Sequence, residues 1–389
     1  PRDAPHDLTF ERRRTPAEAS AGREESLANT QPGGAGSPLS MGRMLAFSAT
    51  SLPLSAVVLA ISIHLPAYFA SSVGVPLVAV GAVFAICRFI DIPIEPALGL
   101  AMDRTRSPLG RYRLWTLLGG PLLMLGLYML IAAGRGVGEP YLVVWLLVMY
   151  LGLSILVLSH AAWASTLAKT YNERSRLFGV MTAVGVIGSL GVLAVPIIME
   201  SLGYGDAEGV RAMIWYIIAL TPVTVGVMVW LTPERIAPEV QGQPFRLRDY
   251  AELILHPAMR RILLADLCLV LGPGWMAALF LFFARDRMLF TTGQANVLLA
   301  VYIMAGLFGA PTMAWVATRI GKHRTAMISC LTFSAALIAL IWAPKANVLA
   351  NVPINFVTGF VGAGFAVMIR AMVADVADDI RLQQGQERS

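Results

Sequence analysis

The sequence predicts an all-α polytopic membrane protein, and its composition and hydropathy pattern support this. Of the 389 residues, 57% are hydrophobic and 14% are charged, whereas soluble domains are about a quarter charged. The apolar residues form continuous runs of about 20 residues, the length that a helix needs to cross a bilayer. A membrane β-barrel would instead show short segments of alternating polarity.

Ten apolar segments follow a polar N-terminal stretch. Residues 1–43 are rich in Arg, Glu, Pro and Gly and lack the apolar core of a signal peptide, so we predict a disordered cytoplasmic tail. The ten predicted spans are residues 44–71, 76–102, 112–133, 140–168, 177–201, 211–231, 261–284, 294–318, 324–343 and 348–376.

The loops between these segments alternate in charge. The loops after the even-numbered segments carry most of the Lys and Arg residues found in loops. Because basic loops are enriched on the cytoplasmic side, we expect these loops and the N-terminus to be cytoplasmic, in the cell (inner) membrane. The same loops account for the net charge of +6 without nucleic-acid binding.

The longest loop, residues 232–260, divides the chain into six segments (44–231) and four (261–389). Twelve helices in two halves, joined by a long middle loop, make up the major facilitator plan, whose binding site lies near the midplane between the halves. We therefore predict a major facilitator fold with about 10 transmembrane helices of an expected 12. On this plan the last two helices are missing, and we expect a truncated sequence rather than a working ten-helix carrier.

The second segment carries three charges on one face. At about 100° per residue, Arg88, Asp91 and Glu95 fall within an arc of about 60°. Charges within a membrane helix cost at least a few kcal/mol unless they pair or face a wet cavity. One interpretation is a cation-binding cluster, and the other is a structural ion pair between Arg88 and one acid. The second carboxylate favours the cation site, because a single pair needs only one acid.

A longer pattern begins at Arg88 and ends at Trp115. It reads Arg-x-x-Asp-x-x-x-acid-Pro-x-x-Gly, then Asp-x-Thr-x-x-x-x-Gly-Arg-x-Arg-x-Trp. The matching positions are Arg88, Asp91, Glu95, Pro96, Gly99, Asp103, Thr105, Gly110, Arg111, Arg113 and Trp115. This pattern resembles the glycoside–pentoside–hexuronide:cation symporters of the major facilitator superfamily.

The resemblance implies a coupling-cation site for Na⁺ or H⁺ at Asp91 and Glu95, with Arg88 balancing the charge of the empty site. No other cofactor is implied. The second acid of the family is more often Asp, so the longer Glu95 leaves the identity of the ion open. The family's ionisable sugar-binding residues fall on or beside Ser55, Ser159 and Val184, which are not ionisable here.

Six residues are candidates for contact with a substrate. They are polar, charged or aromatic residues within the apolar segments, where such side chains are uncommon and often functional. For each of them, ordinary packing or a structural hydrogen bond is the alternative, and the arginine could also snorkel or pair with an acid. They are His64, Tyr68, Ser159, His160, Trp163 and Arg370.

Charged residues at the end of the second segment form a candidate gate. In the superfamily such a cluster holds the cytoplasmic side closed through charge and helix-dipole contacts. The alternative is a set of surface charges that only fixes the topology. The gating candidates are Asp103, Arg104, Arg111 and Arg113, with Asp375 as the acidic counterpart in the second half.

We therefore expect a secondary active transporter, a monomer in the lipid bilayer. It would couple Na⁺ or H⁺ to symport of a small organic solute, such as a sugar or glycoside, by alternating access. A lipid-like or anionic solute, or proton-coupled export, is a second possibility. A non-transporting membrane receptor or assembly factor on a carrier fold is a third. The sequence has no nucleophile elbow, P-loop or zinc-ligand spacing that would indicate an enzyme.

Overall fold

The computed structural model describes residues 39–168, 170–234 and 257–383, which form ten long helices and no β-strand. Each helix is long and apolar enough to cross a membrane, as the sequence predicted. The helices are α1 (Met41–Val73), α2 (Leu77–Arg104), α3 (Arg111–Ile131), α4 (Glu139–Leu167), α5 (Tyr171–Ser201), α6 (Asp206–Leu231), α7 (Pro257–Phe282), α8 (Thr292–Ile320), α9 (Lys322–Ala339) and α10 (Val348–Gln383).

Helix α1 is the least regular of these helices. Two π-helical turns, Ala60–His64 and Phe69–Val73, interrupt its α-helical hydrogen bonding. Each π turn holds an extra residue and rotates the side chains that follow it, and such turns are frequent at functional sites. The helix ends at Gly74, whose φ of 85° lies in the left-handed region.

The first six helices pack against one another through close approaches at small residues. Helix α3 lies along α4, and α1 packs on α5 and α6. A Cβ atom built on Gly126 of α3 would lie 2.6 Å from the Cα atom of Met149 in α4, closer than real contacts allow. Glycines at such positions let membrane helices approach closely, which increases van der Waals contact where no hydrophobic effect drives association.

The helix assembly has two faces, one at each end of the spans. Because successive spans reverse direction, the loops after α2, α4, α6 and α8 lie on one face, here called the basic face. The loops after the odd-numbered helices lie on the opposite face. Residues 1–38, which include most of the predicted tail, and residues 235–256, which include most of the predicted middle loop, lie outside the described part of the chain.

The first six helices contact the last four mainly through α5 with α8 and α1 with α7. An apolar cluster fills this contact. It contains Ile63 and Ala67 of α1, Leu193 of α5, Leu281 of α7 and Leu298 of α8, with further residues around them. These positions lie in the halves of the helices nearer the opposite face, so the helices come together there.

The close packing of α3 on α4 yields the first prediction. Gly126→Ala should lower the melting temperature of the purified protein, because overpacking typically costs about 1–3 kcal/mol. Gly226→Ala in α6 is the matched control, since nothing lies within 4 Å of the added Cβ. Thermal unfolding in detergent measures both variants. Equal melting temperatures would contradict the close approach of α3 to α4.

Candidate functional site

A cavity of about 710 Å³ lies between the first six helices and α8. This volume is within the usual range for small-molecule sites, about 300–1,000 Å³. Its lining is Ser51, Leu54, Ser55, Val58, Leu59, Ser62 and Ile63 of α1, Val157, His160 and Ala161 of α4, Phe178, Met181, Thr182 and Ser189 of α5, and Leu299, Tyr302 and Ile303 of α8. The lining is mainly apolar, with several hydroxyl groups and one imidazole.

The apolar cluster closes the cavity toward the opposite face. Ile63 and Leu299 belong both to the cavity lining and to that cluster. The rest of the lining in α1, α4 and α5 lies in the parts of these helices nearer the basic face. The cavity therefore ends at the level of Ile63 and Leu299.

His160 is the only predicted substrate residue in this lining, counting those whose side chains are described. Its Nε2 atom lies 3.1 Å from the carbonyl oxygen of Phe47, and the two rings are 4.7 Å apart between centroids. His160 therefore borders the cavity and makes the structural hydrogen bond that the alternative interpretation expected.

Ser159 and Trp163 lie in helix packing outside the cavity lining. Thr116 of α3 donates a hydrogen bond of 3.1 Å to the Ser159 hydroxyl. Trp163 is completely buried, and its ring meets Phe47 edge to face. In this conformation both side chains hold α4 against its neighbours.

His64 and Tyr68 are buried in α1, closer to the opposite face than the cavity. The Tyr68 hydroxyl accepts a hydrogen bond of 3.2 Å from Nε of Arg211 in α6. His64 lies 3.0 Å from Asn296 of α8, measured from Nε2 to Oδ1. Arg370 and Asp375 belong to α10, but their side chains lie outside the described part of the structure.

The charged face of α2 is divided between the protein interior and the surface. Asp91 is 3% exposed and accepts hydrogen bonds from Ser154 of α4, at 3.1 Å, and from Arg88, at 3.4 Å. The Arg88 guanidinium lies 4.5 Å from the ring centroid of Tyr150. Glu95 is exposed and has no hydrogen bond among the described residues. The structure thus brings Arg88 and Asp91 together and places Glu95 apart from them.

Ser154 and Tyr150 are contacts that the sequence did not indicate. Both lie within the fourth apolar segment, where nothing in the sequence shows which side of the helix faces α2. Because their partners lie some 60 residues earlier in the chain, only the packing of α2 on α4 reveals the contact.

The predicted gating residues lie on the basic face around the start of α3. Asp103 and Arg111 form an exposed ion pair of 4.0 Å. Arg113 donates a hydrogen bond of 2.8 Å to the carbonyl oxygen of Thr232 at the end of α6, and its guanidinium lies 5.7 Å from the ring centroid of Trp163. Arg104 is exposed. The described contacts of this cluster join α2, α3, α4 and α6.

Glu234 holds the start of α3, a role that the sequence did not indicate. Its carboxylate accepts hydrogen bonds from the backbone N–H groups of Tyr112, at 2.8 Å, and Arg113, at 3.0 Å. The first N–H groups of a helix lack intrahelical partners, and an acid there also interacts favourably with the helix dipole. Gly110 precedes this turn with φ 106°, and a Cβ there would collide with the Glu234 carboxylate.

The ten spans and the packing between two groups of helices define a multi-pass membrane protein of the major facilitator fold. A solved structure of a variant of the nucleoside transporter NupG has the same fold, with a TM-score of 0.70, 14% sequence identity and 86% coverage of each chain. The predicted fold class is thereby confirmed.

The chain belongs to the family described as MFS/sugar transport protein, whose model matches residues 46–389. It is 21% identical over 337 residues to the isoprimeverose transporter of Lactiplantibacillus pentosus, covering 82% of this chain and 68% of that protein. It is 21% identical over 291 residues to the glucuronide carrier protein homolog of Escherichia coli K12, covering 72% and 63%. These findings confirm the family resemblance and place the chain among transporters, not enzymes.

The contact of Glu234 with α3 gives a second prediction. Glu234→Gln should destabilise the protein by about 0.5–2 kcal/mol, because the variant loses the charge and one of two acceptors at the helix N-terminus. Glu139→Gln is the control, since Glu139 is an exposed acid in the first turn of α4. Thermal unfolding of both variants in the same detergent tests this. A fall in melting temperature no larger than that of the control would contradict the proposed contact.

Proposed function

We propose that this protein is a symporter that couples Na⁺ or H⁺ to the movement of an uncharged, sugar-like solute by alternating access. The observation that carries the proposal is the cavity between the first six helices and α8, closed toward the opposite face. The names of the relatives, an isoprimeverose transporter and a glucuronide carrier homolog, support a sugar-like solute.

The cavity lining favours a solute without charge. Ser55, Ser62 and Tyr302 have hydroxyl groups with no hydrogen-bond partner among the described residues, so each can donate to and accept from solute hydroxyls. No Asp, Glu, Lys or Arg belongs to the described lining. A charged solute would have no opposite charge there to offset its loss of hydration.

The apolar wall also supports a second candidate, a lipid-like amphiphile. Val58, Val157 and Phe178 are each more than a third exposed and border the cavity. An alkyl or aromatic group could lie against these side chains while a polar group contacts the hydroxyls. The same site therefore suits either a sugar with an apolar substituent or a larger amphiphile.

We propose Asp91 as the primary ligand of the coupling cation, with Glu95 as the second carboxylate. Carboxylate and hydroxyl oxygens suit Na⁺, and a carboxylate also holds H⁺. In this conformation Arg88 provides the positive charge beside Asp91, so cation binding would require Arg88 to move away. Its half-exposed side chain leaves room for that movement.

Helix α4 connects the proposed cation site with the cavity. Ser154, which donates to Asp91, lies one helical turn before Val157, which borders the cavity. A shift of α4 when the cation replaces Arg88 would therefore change the cavity wall. Such a shared element lets two ligands bias one equilibrium, as coupling requires.

The topology completes the proposal. With the basic face in the cytoplasm, the N-terminus is cytoplasmic and the protein lies in the inner membrane. The structure then corresponds to the state closed to the outside. Asp103, Arg104, Arg111 and Arg113 would contribute to closing the cytoplasmic side in the other state, with Asp375 as their proposed counterpart. We propose that a single chain transports as a monomer.

Cation binding at Asp91 gives a third prediction. In wild type, Na⁺ or a pH change should shift the melting temperature, because a bound ion stabilises by about 2.7 kcal/mol at one hundred times its Kd. Asp91→Asn and Glu95→Gln should abolish the shift, while Asp286→Asn, an exposed acid on the opposite face, should keep it. Thermal unfolding across Na⁺, Li⁺ and pH series measures this. Indifference of wild type to every ion would favour the receptor alternative.

The cavity hydroxyls give a fourth prediction. Ser62→Ala and Tyr302→Phe should each weaken solute binding about 2- to 12-fold, the effect of one hydrogen bond. Tyr204→Phe, an exposed tyrosine in the loop after α5, is the control. Binding of isoprimeverose, a glucuronide and a lysophospholipid is measured by thermal stabilisation. Binding of the glucuronide alone would contradict an uncharged solute, and binding of the lysophospholipid alone would favour the amphiphile.

A further inference from the structure

Helices α1 and α8 are joined by a hydrogen bond between two completely buried polar side chains. His64 of α1 and Asn296 of α8 are both 0% exposed, and 3.0 Å separates Nε2 from Oδ1. The contact crosses from the first six helices to the last four. His64 ends the π-helical turn Ala60–His64, which sets the direction of its ring.

The pair lies directly beyond the closed end of the cavity. Ser62 and Ile63, which precede His64, border the cavity, and so does Leu299, one turn after Asn296. A solute that contacts Ser62 therefore lies within about one helical turn of His64, and one that contacts Leu299 lies within about one turn of Asn296. The pair separates the cavity from the part of the interface nearer the opposite face.

The contact between His64 and Asn296 is polar, although two apolar side chains at these positions would stabilise the closed interface more. In the orientation shown, the amide oxygen can only accept, so Nε2 carries the proton and Nδ1 is left as an acceptor. Neither His64 Nδ1 nor Asn296 Nδ2 has a hydrogen-bond partner among the described residues. Such buried unpaired groups are costly and call for an explanation. A contact that must break and re-form provides one.

Two further polar contacts cross the same interface near the opposite face. Asp206 at the start of α6 pairs with Arg285 beyond the end of α7. The Glu200 carboxylate of α5 accepts a hydrogen bond of 2.6 Å from the backbone N–H of Gly293 at the start of α8. Both contacts are only partly buried, so water competes with them more than with a completely buried pair. The buried pair is the one shielded from water.

We propose that His64 and Asn296 form an internal lock, the contact that sets how readily the opposite face opens. The inference rests on the proposed alternating access. The lock forms when α1 meets α8 and breaks when the first six helices move away from the last four. On opening, water or a solute hydroxyl satisfies the freed polar atoms, including Nδ1 and Nδ2.

The test measures opening of the opposite face directly. Ala284, in the π-helical turn that follows α7, is 3% exposed within the apolar cluster that closes the cavity. In a background with Cys87, Cys268 and Cys330 replaced by alanine, Ala284→Cys reports opening through its rate of alkylation by a water-soluble maleimide. The purified protein is used without solute or Na⁺.

The expected result is a non-additive double-mutant cycle. His64→Leu and Asn296→Val should each raise the alkylation rate about threefold to tenfold, since each removes one net hydrogen bond and leaves a buried partner unpaired. The double variant should return to the parent rate or below it, because two apolar side chains pack without an unpaired group. His64→Gln, which can still donate to Asn296, should stay near the parent rate.

Thr116→Val is the matched control. It removes another buried hydrogen bond between side chains, the one to Ser159, which lies wholly within the first six helices. It should lower the melting temperature without changing the alkylation rate. Single variants at the parent rate, or a double variant more open than either single one, would overturn the lock.

The experiments distinguish failure of the lock from failure of the proposed symport. If neither ions nor solutes bind but the cycle is non-additive, the lock stands and the symport proposal fails. If ions and solutes bind and the singles stay at the parent rate, symport stands and the lock fails. If one single variant does not purify as a monodisperse protein, the other single variant is compared with the double variant, and the lock still requires the single variant to be alkylated faster than both the parent and the double variant.

Discussion

A polar group inside a bilayer has no water to bond with, so the protein itself must provide its partner. This constraint produces the ten helices, in which each backbone group is satisfied within its own segment. It also acts on the side chains of Ser and Thr. Thr221 and Thr358 each donate to the carbonyl oxygen four residues earlier, so their hydroxyls are satisfied without a hydrogen bond to another helix.

The same constraint makes each polar contact between helices informative. The buried Asp91 carboxylate accepts hydrogen bonds from Arg88, which also provides a positive charge, and from Ser154. His64 and Asn296 satisfy each other only in part. A contact that is fully satisfied stabilises one arrangement, whereas a partly satisfied one costs less to exchange for another partner. The proposed lock is therefore suited to change, while Thr116 and Ser159 hold α3 on α4.

The fold could be predicted from the sequence because length and apolarity alone specify a membrane span. The charged pattern from Arg88 to Trp115 indicated the family. Charged residues within membrane helices are rare, so a pattern of several at fixed spacing is specific. The rotation of each helix was not predictable. A segment that is apolar all round has no polar stripe to show which side meets a neighbour, so Ser159 and Trp163 could not be assigned to packing or cavity.

Contacts between residues far apart in the chain could not be predicted from the sequence either. Asn296 lies 232 residues from His64, and Glu234 lies 122 residues from Tyr112. Neither partner carries a local signal, because an Asn in an apolar segment or a Glu after a Pro fits many roles. The π turn before His64 adds to the difficulty, since it shifts the face of α1 in a way that a regular period of 3.6 residues cannot anticipate.

An alternating carrier needs two states of similar free energy, because a ligand can move the equilibrium only by its differential affinity for them. The interface between α1, α5, α7 and α8 fits this requirement. Its apolar cluster is limited to one end of the helices, and its buried polar pair leaves two atoms unsatisfied. Opening the interface then loses apolar contact but satisfies those atoms, so the two terms offset each other. A wholly apolar interface would make the closed state much lower in free energy than the open one. The binding free energy of a solute held by a few hydroxyl groups would then be too small to shift the equilibrium between the two states.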